Sequence, residues 1–294
     1  MLLNTKIQHQ NFEPGEFVDI QLRTYDETIN CINTFPWEGE REHLRVSLTN
    51  PSVTIEKPLN NFLKFALFYN GKFVLHYFND QHELFTKSFF QKEEAFPFIK
   101  NCFDSEVFDV SEFKKEPTFM QHNLVHFVTQ DFHYTITPKR VKDYLLNTSG
   151  ILFAIFAIFL FIILFSGKGA LSGAGLAFLI FIYFLFFGGG LNLLVFWNYW
   201  RYAKNKILIM SKGDDVFYFG DQQHPKKYDK KDILRVIFYH PNAYRNPLNS
   251  FAVVKIEFRD NESIQIPNLF VSEYALQDKL FNCPQVVKSK LKLI

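Results

Sequence analysis

The chain has 294 residues, a net charge of +2 and a mean hydropathy of −0.06, values typical of an ordinary soluble protein. Its three cysteines are scattered without a CxxC spacing, which argues against a disulfide scaffold, and no cleavable signal is visible at the start. These averages hide one contrast, because the only charged residue between Gly150 and Trp200 is Lys168. That contrast predicts a membrane region between two polar domains.

The N-terminal region begins with the signals of a small mixed domain. A polar cap and early acidic residues predict a helix that begins near Thr24 or Asp26. Strand-like segments follow between residues 44 and 88. The Asn70-Gly71 pair between two aromatic segments is typical of a β-hairpin turn.

Two further elements complete this region. A short amphipathic helix is predicted at 91–103, and an alternating strand at 126–137 leads toward the membrane region. Residues 1–140 are therefore expected to form a cytoplasmic α+β domain with an antiparallel sheet. The first 150 residues carry fifteen Lys and Arg against twenty Asp and Glu, so this domain is acidic.

Two long apolar runs follow, at about residues 145–166 and 171–197. The first is long enough to cross the roughly 30 Å hydrocarbon core of a bilayer as an α-helix. The second is longer, so tilt or an irregularity is expected. Residues 144–200 are thus predicted to form a transmembrane helical hairpin. The alternative is a buried hairpin in a soluble protein.

The cations beside the two runs predict the orientation of the hairpin. Three precede the first run, three follow the second, and the connecting turn has only Lys168. By the positive-inside rule, both termini are expected on the cytoplasmic side of a bacterial inner membrane. The flanking cations are Lys139, Arg140, Lys142, Arg201, Lys204 and Lys206.

Three consecutive glycines interrupt the second run, and Asn192 follows them. Small residues let helix backbones approach closely in lipid, so we expect the glycines to pack against two alanines of the first run. The Asn192 amide is expected to bond with Ser149 or Thr148, because lipid cannot satisfy it. The alternative is that the glycines break or kink the helix. The predicted packing residues are Gly188, Gly189, Gly190, Ala154 and Ala157.

Residues 201–294 again carry strand patterns and end in one helix. The strand segments are KILIMSK, DVFYFG, ILRVIFYH, SFAVVKIEF and SIQIP. The last segment, NLFVSEYALQDKLFNC, has apolar residues at helical spacing, with Ser272 as its cap and Glu273 in its first turn.

With the hairpin, these segments resemble the bacterial membrane proteins in which two helices are followed by a PH-like domain. The resemblance is carried by WRYAKNKILIMSKGDDVFYFG, KKDILRVIFYH and VKIEFRDNESIQIPNLFVSEYALQDKLF. It implies a C-terminal PH-like β-barrel or sheet, residues 201–294, capped by a helix. No family is recognised for the N-terminal half.

The C-terminal region is basic, with sixteen Lys and Arg against ten Asp and Glu. Its lysines are expected to lie against anionic headgroups, at about 1 kcal/mol per cation, or to dock onto the acidic domain. A solvated charged loop is the simplest alternative. Nucleic acid is not an expected partner, because no aromatic platform accompanies the cations. The candidate lysines are Lys226, Lys227, Lys230, Lys231, Lys288, Lys290 and Lys292.

Catalytic signals are weak throughout the chain. His122 and His126 are four residues apart, with His133 nearby, so a shared metal is conceivable on a helix, but solvated histidines are the simpler interpretation. There is no HExxH, no GxSxG elbow and no Walker loop. We therefore expect no catalytic residues, no metal and no cofactor.

The sequence favours a membrane-anchored, non-enzymatic interaction or scaffold protein. Its PH-like and N-terminal domains would bind a protein partner, a second copy of the chain or the inner leaflet. One alternative is an oligomeric pore or transport component, although the predicted spans carry no charge. The other is a metal-dependent enzyme with its site in the N-terminal domain.

Overall fold

The structure is a computed structural model that describes residues 1–41, 48–117, 124–145, 158, 175, 178, 190–241 and 247–294. These residues fall into two units. Unit 1 comprises Met1–Asp131 together with Ser211–Gly213, and unit 2 comprises Phe132–Met210 and Asp214–Ile294. The sequence analysis put the end of the first domain near residue 140. In the structure, the segment 132–140 instead belongs to unit 2.

Unit 1 contains an antiparallel sheet and two helices. Its described strands are β1 (Leu3–Gln8), β2 (Val18–Arg23), β3 (Ser52–Lys57), β4 (Asn61–Leu67), β5 (Phe73–Phe78), β6 (Leu84–Phe89) and β7 (Lys114–Lys115). Helix α1 (Tyr25–Thr34) follows β2, and helix α2 (Phe96–Asp104) follows β6. Within the described residues the strand order is β2-β1-β3-β4-β5-β6-β7. The predicted α+β class with an antiparallel sheet is confirmed.

Local signals explain where several of these elements begin and end. The Thr24 hydroxyl accepts a hydrogen bond from the Glu27 backbone amide, and the Glu27 carboxylate accepts one from the Thr24 amide, so a capping box starts α1. Asn70 and Gly71 have φ angles of 52° and 75° in the turn from β4 to β5. The predicted helix start and hairpin are both confirmed.

The sequence analysis missed β1 and β2, because the first 23 residues do not alternate clearly between polar and apolar side chains. The predicted strand at 126–137 is also wrong in its extent. Residues Leu124–His126 form a 3-10 turn, and only His133–Tyr134 pair as a strand, which belongs to unit 2.

The sheet of unit 1 has one apolar face, and α1 and α2 pack against it. Ile32 of α1 and Ile99 of α2 join Leu63, Phe65 and Leu75 of the sheet in one buried cluster. Full burial of such side chains stabilises the unit by about 1.5–3 kcal/mol each. The opposite face is partly polar and carries part of the candidate site described below.

Unit 2 has two sheets and three helices among the described residues. Its elements are β8 (His133–Tyr134), α3 (Pro138–Leu145), α4 (Gly190–Ala203), β9 (Lys206–Ile209), β10 (Val216–Asp221), β11 (Lys226–Asp229), β12 (Ile233–Tyr239), β13 (Val253–Phe258), β14 (Ser263–Pro267), α5 (Glu273–Lys279) and β15 (Gln285–Lys288). The sheet orders are β11-β10-β9-β8 and β14-β13-β12-β15. Strand β15 is parallel to β12, and the other pairs are antiparallel.

The inner faces of the two sheets share one core. Phe217 of β10, Phe238 of β12 and Ile256 of β13 pack with Leu276 of α5. The Ser272 hydroxyl accepts a hydrogen bond from the Ala275 amide and caps α5, as the sequence predicts. Helix α4 instead packs against the other face of the β12–β13 pair, through Val195 and Tyr199.

The predicted spans at 145–166 and 171–197 fall almost entirely outside the described residues. Helix α3 ends at Leu145, and α4 begins at Gly190 and continues past the end of the second predicted run. None of the helices in the described part of the chain is both long enough and apolar enough to cross a bilayer.

The turn between β4 and β5 is a specific test of this fold. Gly71 has a positive φ and open space around the position of an added Cβ atom, so Gly71→Ala introduces backbone strain without a clash. We expect a loss of about 1 kcal/mol in the unfolding free energy of unit 1. The measurement is urea unfolding followed by Trp37 fluorescence, with Trp197 and Trp200 replaced by phenylalanine.

Gly39→Ala is the matched control, since an added Cβ there meets only the Pro36 carbonyl oxygen at 3.6 Å. That variant should change the midpoint little. Equal midpoints for the two variants would contradict the turn geometry.

Candidate functional site

A basic cluster surrounds the ring of Tyr239, the last residue of β12. Lys288 is opposite Tyr239 in the pairing of β12 with β15. Lys290 and Lys292 follow at alternate positions and reach the same ring. The Nζ atoms of Lys288, Lys290 and Lys292 lie 5.9, 5.7 and 4.6 Å from the ring centre. Amines at this distance from an aromatic ring are attracted by its electron-rich face.

Lys255 of β13 adds a fourth amine. Burial lowers the pKa of Lys292, and the positive charge of Lys255 lowers it further, while Glu257 opposes the shift. Glu257 is already bound to Lys255 at 2.6 Å and to Arg235 at 2.5 Å. The surface therefore has an excess of positive charge. Lys255, Lys288, Lys290 and Lys292 are called the Tyr239 lysine cluster below.

The C-terminal tail connects this cluster to α4. The Tyr199 hydroxyl donates a hydrogen bond of 2.8 Å to the Lys292 carbonyl. The Asn198 side chain donates to the Ile294 carbonyl and accepts from the Ile294 amide, both at 2.9 Å. The tail lysines are thus held beside α4, the helix that contains the end of the second apolar run.

The other predicted lysines lie around β11, where carboxylates neutralise two of them. Lys226 forms an ion pair with Glu262, and Lys231 forms one of 2.6 Å with Asp215. Carboxylates therefore neutralise two of the four lysines predicted near β11, whereas no such ion pair is present for the tail lysines within the described residues. Lys227 lies in β11 and is exposed, and Lys230 begins the 3-10 turn that follows.

Helix α4 has two different apolar faces. Val195 and Tyr199 are buried on the sheet of unit 2. Leu191, Leu194 and Trp197 recur at every third position and are exposed, with 62% of Leu194 and 58% of Trp197 accessible. An exposed apolar stripe at helical spacing is typical of a surface that contacts lipid or a partner.

The predicted glycine seam can be located only in part. Gly190 is the first residue of α4, whereas Gly188, Gly189, Ala154, Ala157 and Ser149 lie outside the described residues. Asn192 is 6% exposed, and neither atom of its amide has a hydrogen-bond partner within the described part of the chain. Its predicted partners, Ser149 and Thr148, are also outside that part.

Unit 1 contains a second polar feature, a row of side chains across one face of its sheet. On this face, directly opposed residues on successive strands carry hydroxyls, amines and an imidazole. The other face of the sheet carries the apolar side chains that pack against α1 and α2. The polar row consists, from β1 to β7, of Lys6, Thr54, Lys64, His76, Thr86 and Lys114.

Two lysines of this row are buried. The Lys6 amine is 3.3 Å from the Glu56 carboxylate. Within the described residues the Lys64 amine donates to two neutral acceptors, the Gln8 side-chain oxygen at 2.6 Å and the His126 carbonyl at 3.2 Å. Burial, with a smaller contribution from the charge of Lys6, lowers the pKa of Lys64 to about 7. No ion pair joins Lys64 to a carboxylate of the described residues.

Two histidines of unit 1, His76 and His126, are held neutral. Burial lowers the pKa of His76 to about 3 and that of His126 to about 4, and Lys64 contributes to both shifts. The His126 ring is 2.8 Å from the Thr49 hydroxyl. His122 lies outside the described residues, and His133 belongs to unit 2. The described residues contain no cluster of His, Cys, Asp and Glu arranged to hold a metal ion.

A comparison with family models decides the assignment of unit 2. The model of the PH domain matches residues 133–279. This match starts at the first residue of β8 and ends at the last residue of α5, and it covers half of the chain. The chain belongs to the PH domain family. No curated protein and no solved structure matches it.

The PH domain therefore begins before the predicted hairpin, whereas the sequence analysis assigned it to residues 201–294. Its first strand, β8, pairs with β9, so residues 135–205 are an insertion between adjacent strands. The strand predicted at 126–137 includes β8, but sequence reasoning assigned it to the N-terminal domain, because a two-residue strand has no period that indicates its partner. Sequence reasoning missed Tyr239 and Lys255. For Lys255 the alternation of partly exposed and buried residues on β13 was the available signal, whereas Tyr239 ends a run of buried residues on β12 and gives no such signal.

The buried lysine makes the stability of unit 1 depend on pH. A folded-state pKa near 7 lies below the unfolded value, so the unfolded chain binds more protons between pH 7 and about 10.5. The unfolding free energy should therefore rise with pH across this window. Lys64→Met should reduce the slope and raise stability at pH 7. The measurement is urea unfolding by Trp37 fluorescence at several pH values.

Lys100→Met, which removes an exposed amine of α2, serves as the control and should keep the slope of the parent chain. Identical slopes for Lys64→Met and Lys100→Met would contradict the burial of an unpaired Lys64.

Proposed function

We propose that the protein is a membrane-anchored binding protein that holds its PH domain against an anionic membrane surface through the Tyr239 lysine cluster. The observation that carries this proposal is the convergence of Lys288, Lys290 and Lys292 on one ring, beside a helix that continues from an apolar run. Residues 144–200 would form the anchor as a two-span hairpin. The termini would face the cytoplasm.

Strand pairing supports the two-span anchor. Because Tyr134 of β8 is directly opposite Leu208 of β9, the two ends of the insertion lie on neighbouring strands, about 8 Å apart. A chain that leaves and returns at the same place crosses a bilayer an even number of times. The two apolar runs, at 145–166 and 171–197, satisfy that requirement.

The depth of the tail supports contact with headgroups. Tyr199, which bonds the Lys292 carbonyl, lies two residues after the predicted end of the second run at Trp197. Two residues of helix correspond to about 3 Å, which is within the headgroup layer. The exposed stripe of Leu191, Leu194 and Trp197 fits the same location, since tryptophan is enriched at the interface.

The charge of the cluster supports an anionic partner. Each lysine near an anionic surface contributes about 1 kcal/mol, so the three tail lysines together contribute about 3 kcal/mol. Anionic headgroups would also reduce the repulsion that now lowers the pKa of Lys292. The lysines around β11 would contribute less, because Glu262 and Asp215 already neutralise two of them.

The proposal is tested by reactivity of individual lysines in the full chain. The protein is reconstituted in nanodiscs of phosphatidylcholine, with or without phosphatidylglycerol, and treated with a water-soluble amine reagent. Mass spectrometry then gives the rate for each lysine. Lys288, Lys290 and Lys292 should react several-fold more slowly in the anionic discs, and high salt should remove the difference. Lys226, Lys227 and Lys231 should react at similar rates in both discs.

Two charge-matched variants complete this test. The reaction rate at Lys255 should depend on the lipid in the parent chain but not in K288Q/K290Q/K292Q. In K226Q/K227Q/K231Q, the dependence at Lys255 should persist. Tail lysines that react equally fast in the two discs, or a uniform slowing of all lysines, would refute the proposed contact.

A further inference from the structure

The polar row of unit 1 ends in a cavity of about 550 Å³ over strands β5, β6 and β7. Its walls combine apolar side chains with a few polar groups, which is the usual composition of a small-molecule site. The lining includes Leu48, Val74, His76, Leu84, Thr86 and Ser88. The volume is within the range of about 300–1,000 Å³ that is typical of ligand pockets.

His76 is the buried polar group of this cavity. Its residue is 8% exposed, and its Nδ1 atom has no hydrogen-bond partner among the described residues. A buried ring nitrogen without a partner costs free energy that a hydrogen bond with a bound ligand would recover. Burial and the neighbouring Lys64 keep the ring neutral, so it can donate one N–H to an acceptor. The neighbouring Thr86 hydroxyl already donates to Glu116 at 2.5 Å.

The charges near the cavity favour a negative ligand. Lys87 at the rim is paired with Glu112. Lys114 also lines the cavity, and Lys64 is directly opposite His76 on the adjacent strand. Within the described residues neither Lys64 nor Lys114 forms an ion pair with a carboxylate, and the remaining acid of the wall is Glu116. The charged residues that line the cavity balance one another, and the excess positive charge is that of the Lys64 amine when it is protonated.

We propose that this cavity binds a small carboxylate, whose apolar body packs against Leu48, Val74 and Leu84 and whose carboxylate accepts a hydrogen bond from His76. His76 is directly opposite Lys64, with Cβ atoms about 4.5–5.5 Å apart, so the carboxylate would lie within range of the charge of the Lys64 amine, which itself points toward Gln8 of β1. The carboxylate would supply the negative charge that this amine lacks. This site is independent of the membrane contact proposed above, since it uses residues of unit 1 alone.

Three probes of the same shape test the charge of the ligand. They are para-fluorobenzoate, para-fluorobenzamide and para-fluorobenzylamine, and the readout is broadening of the fluorine NMR signal by the full chain. Benzoate should bind about tenfold more tightly than the benzylammonium ion, with the amide between them. In Lys64→Met the preference for benzoate over the amide should shrink.

Two variants with matched controls test the location. Ser88→Phe fills the cavity from an exposed position on β6 and should abolish benzoate binding, while Ser263→Phe on β14 should not. His76→Phe should weaken benzoate binding, and His82→Phe, in the turn before β6, should leave it unchanged. The proposal is overturned if benzylammonium binds as tightly as benzoate. It is equally overturned if neither Ser88→Phe nor His76→Phe alters the benzoate signal.

Discussion

The pairing of β8 with β9 is the constraint on which the organisation of this protein depends. These strands are hydrogen-bonded neighbours, yet residues 135–205 separate them in the chain. Strand β8 joins the sheet β11-β10-β9-β8 only by pairing with β9, which follows the insertion in the chain. The inserted residues are therefore attached to the PH domain at two adjacent places. If they form the membrane anchor proposed above, both attachments limit how far the domain can move from the membrane.

That constraint gives the C-terminal tail its importance. Helix α4 packs on the sheet of unit 2 through Val195 and Tyr199, and the tail binds the same helix through Asn198 and Tyr199. The tail thus brings Lys290 and Lys292 to Tyr239, and β15 contributes Lys288. A basic surface held in this way is preorganised, so less conformational entropy is lost when it meets an anionic partner. The lysines around β11 differ because Glu262 and Asp215 neutralise two of them, Lys226 and Lys231.

Sequence reasoning succeeded where the signal is local. The cap at Thr24, the Asn70-Gly71 turn and the cap at Ser272 each depend on residues within a few positions, and all three are confirmed. It placed a strand over β8 but assigned that strand to the N-terminal domain, because the partner β9 lies beyond the insertion. The tail lysines were identified by charge, but their convergence depends on Tyr239 and Lys255 from other strands. The polar row was invisible because a lysine in a strand is normally exposed, and only the register aligns Lys64 with His76.

The most direct test of this account is a cysteine cross-link between β8 and β9 in the full chain. His133 and Ile209 are directly opposed, so oxidation of H133C/I209C in membranes should form an intramolecular disulfide. The off-register pair H133C/I207C should form it far more slowly. The account predicts this difference, with the insertion still present between the two strands. Equal rates for the two pairs, or no cross-link in either, would contradict the pairing of β8 with β9 and with it the insertion of residues 135–205 into the PH domain.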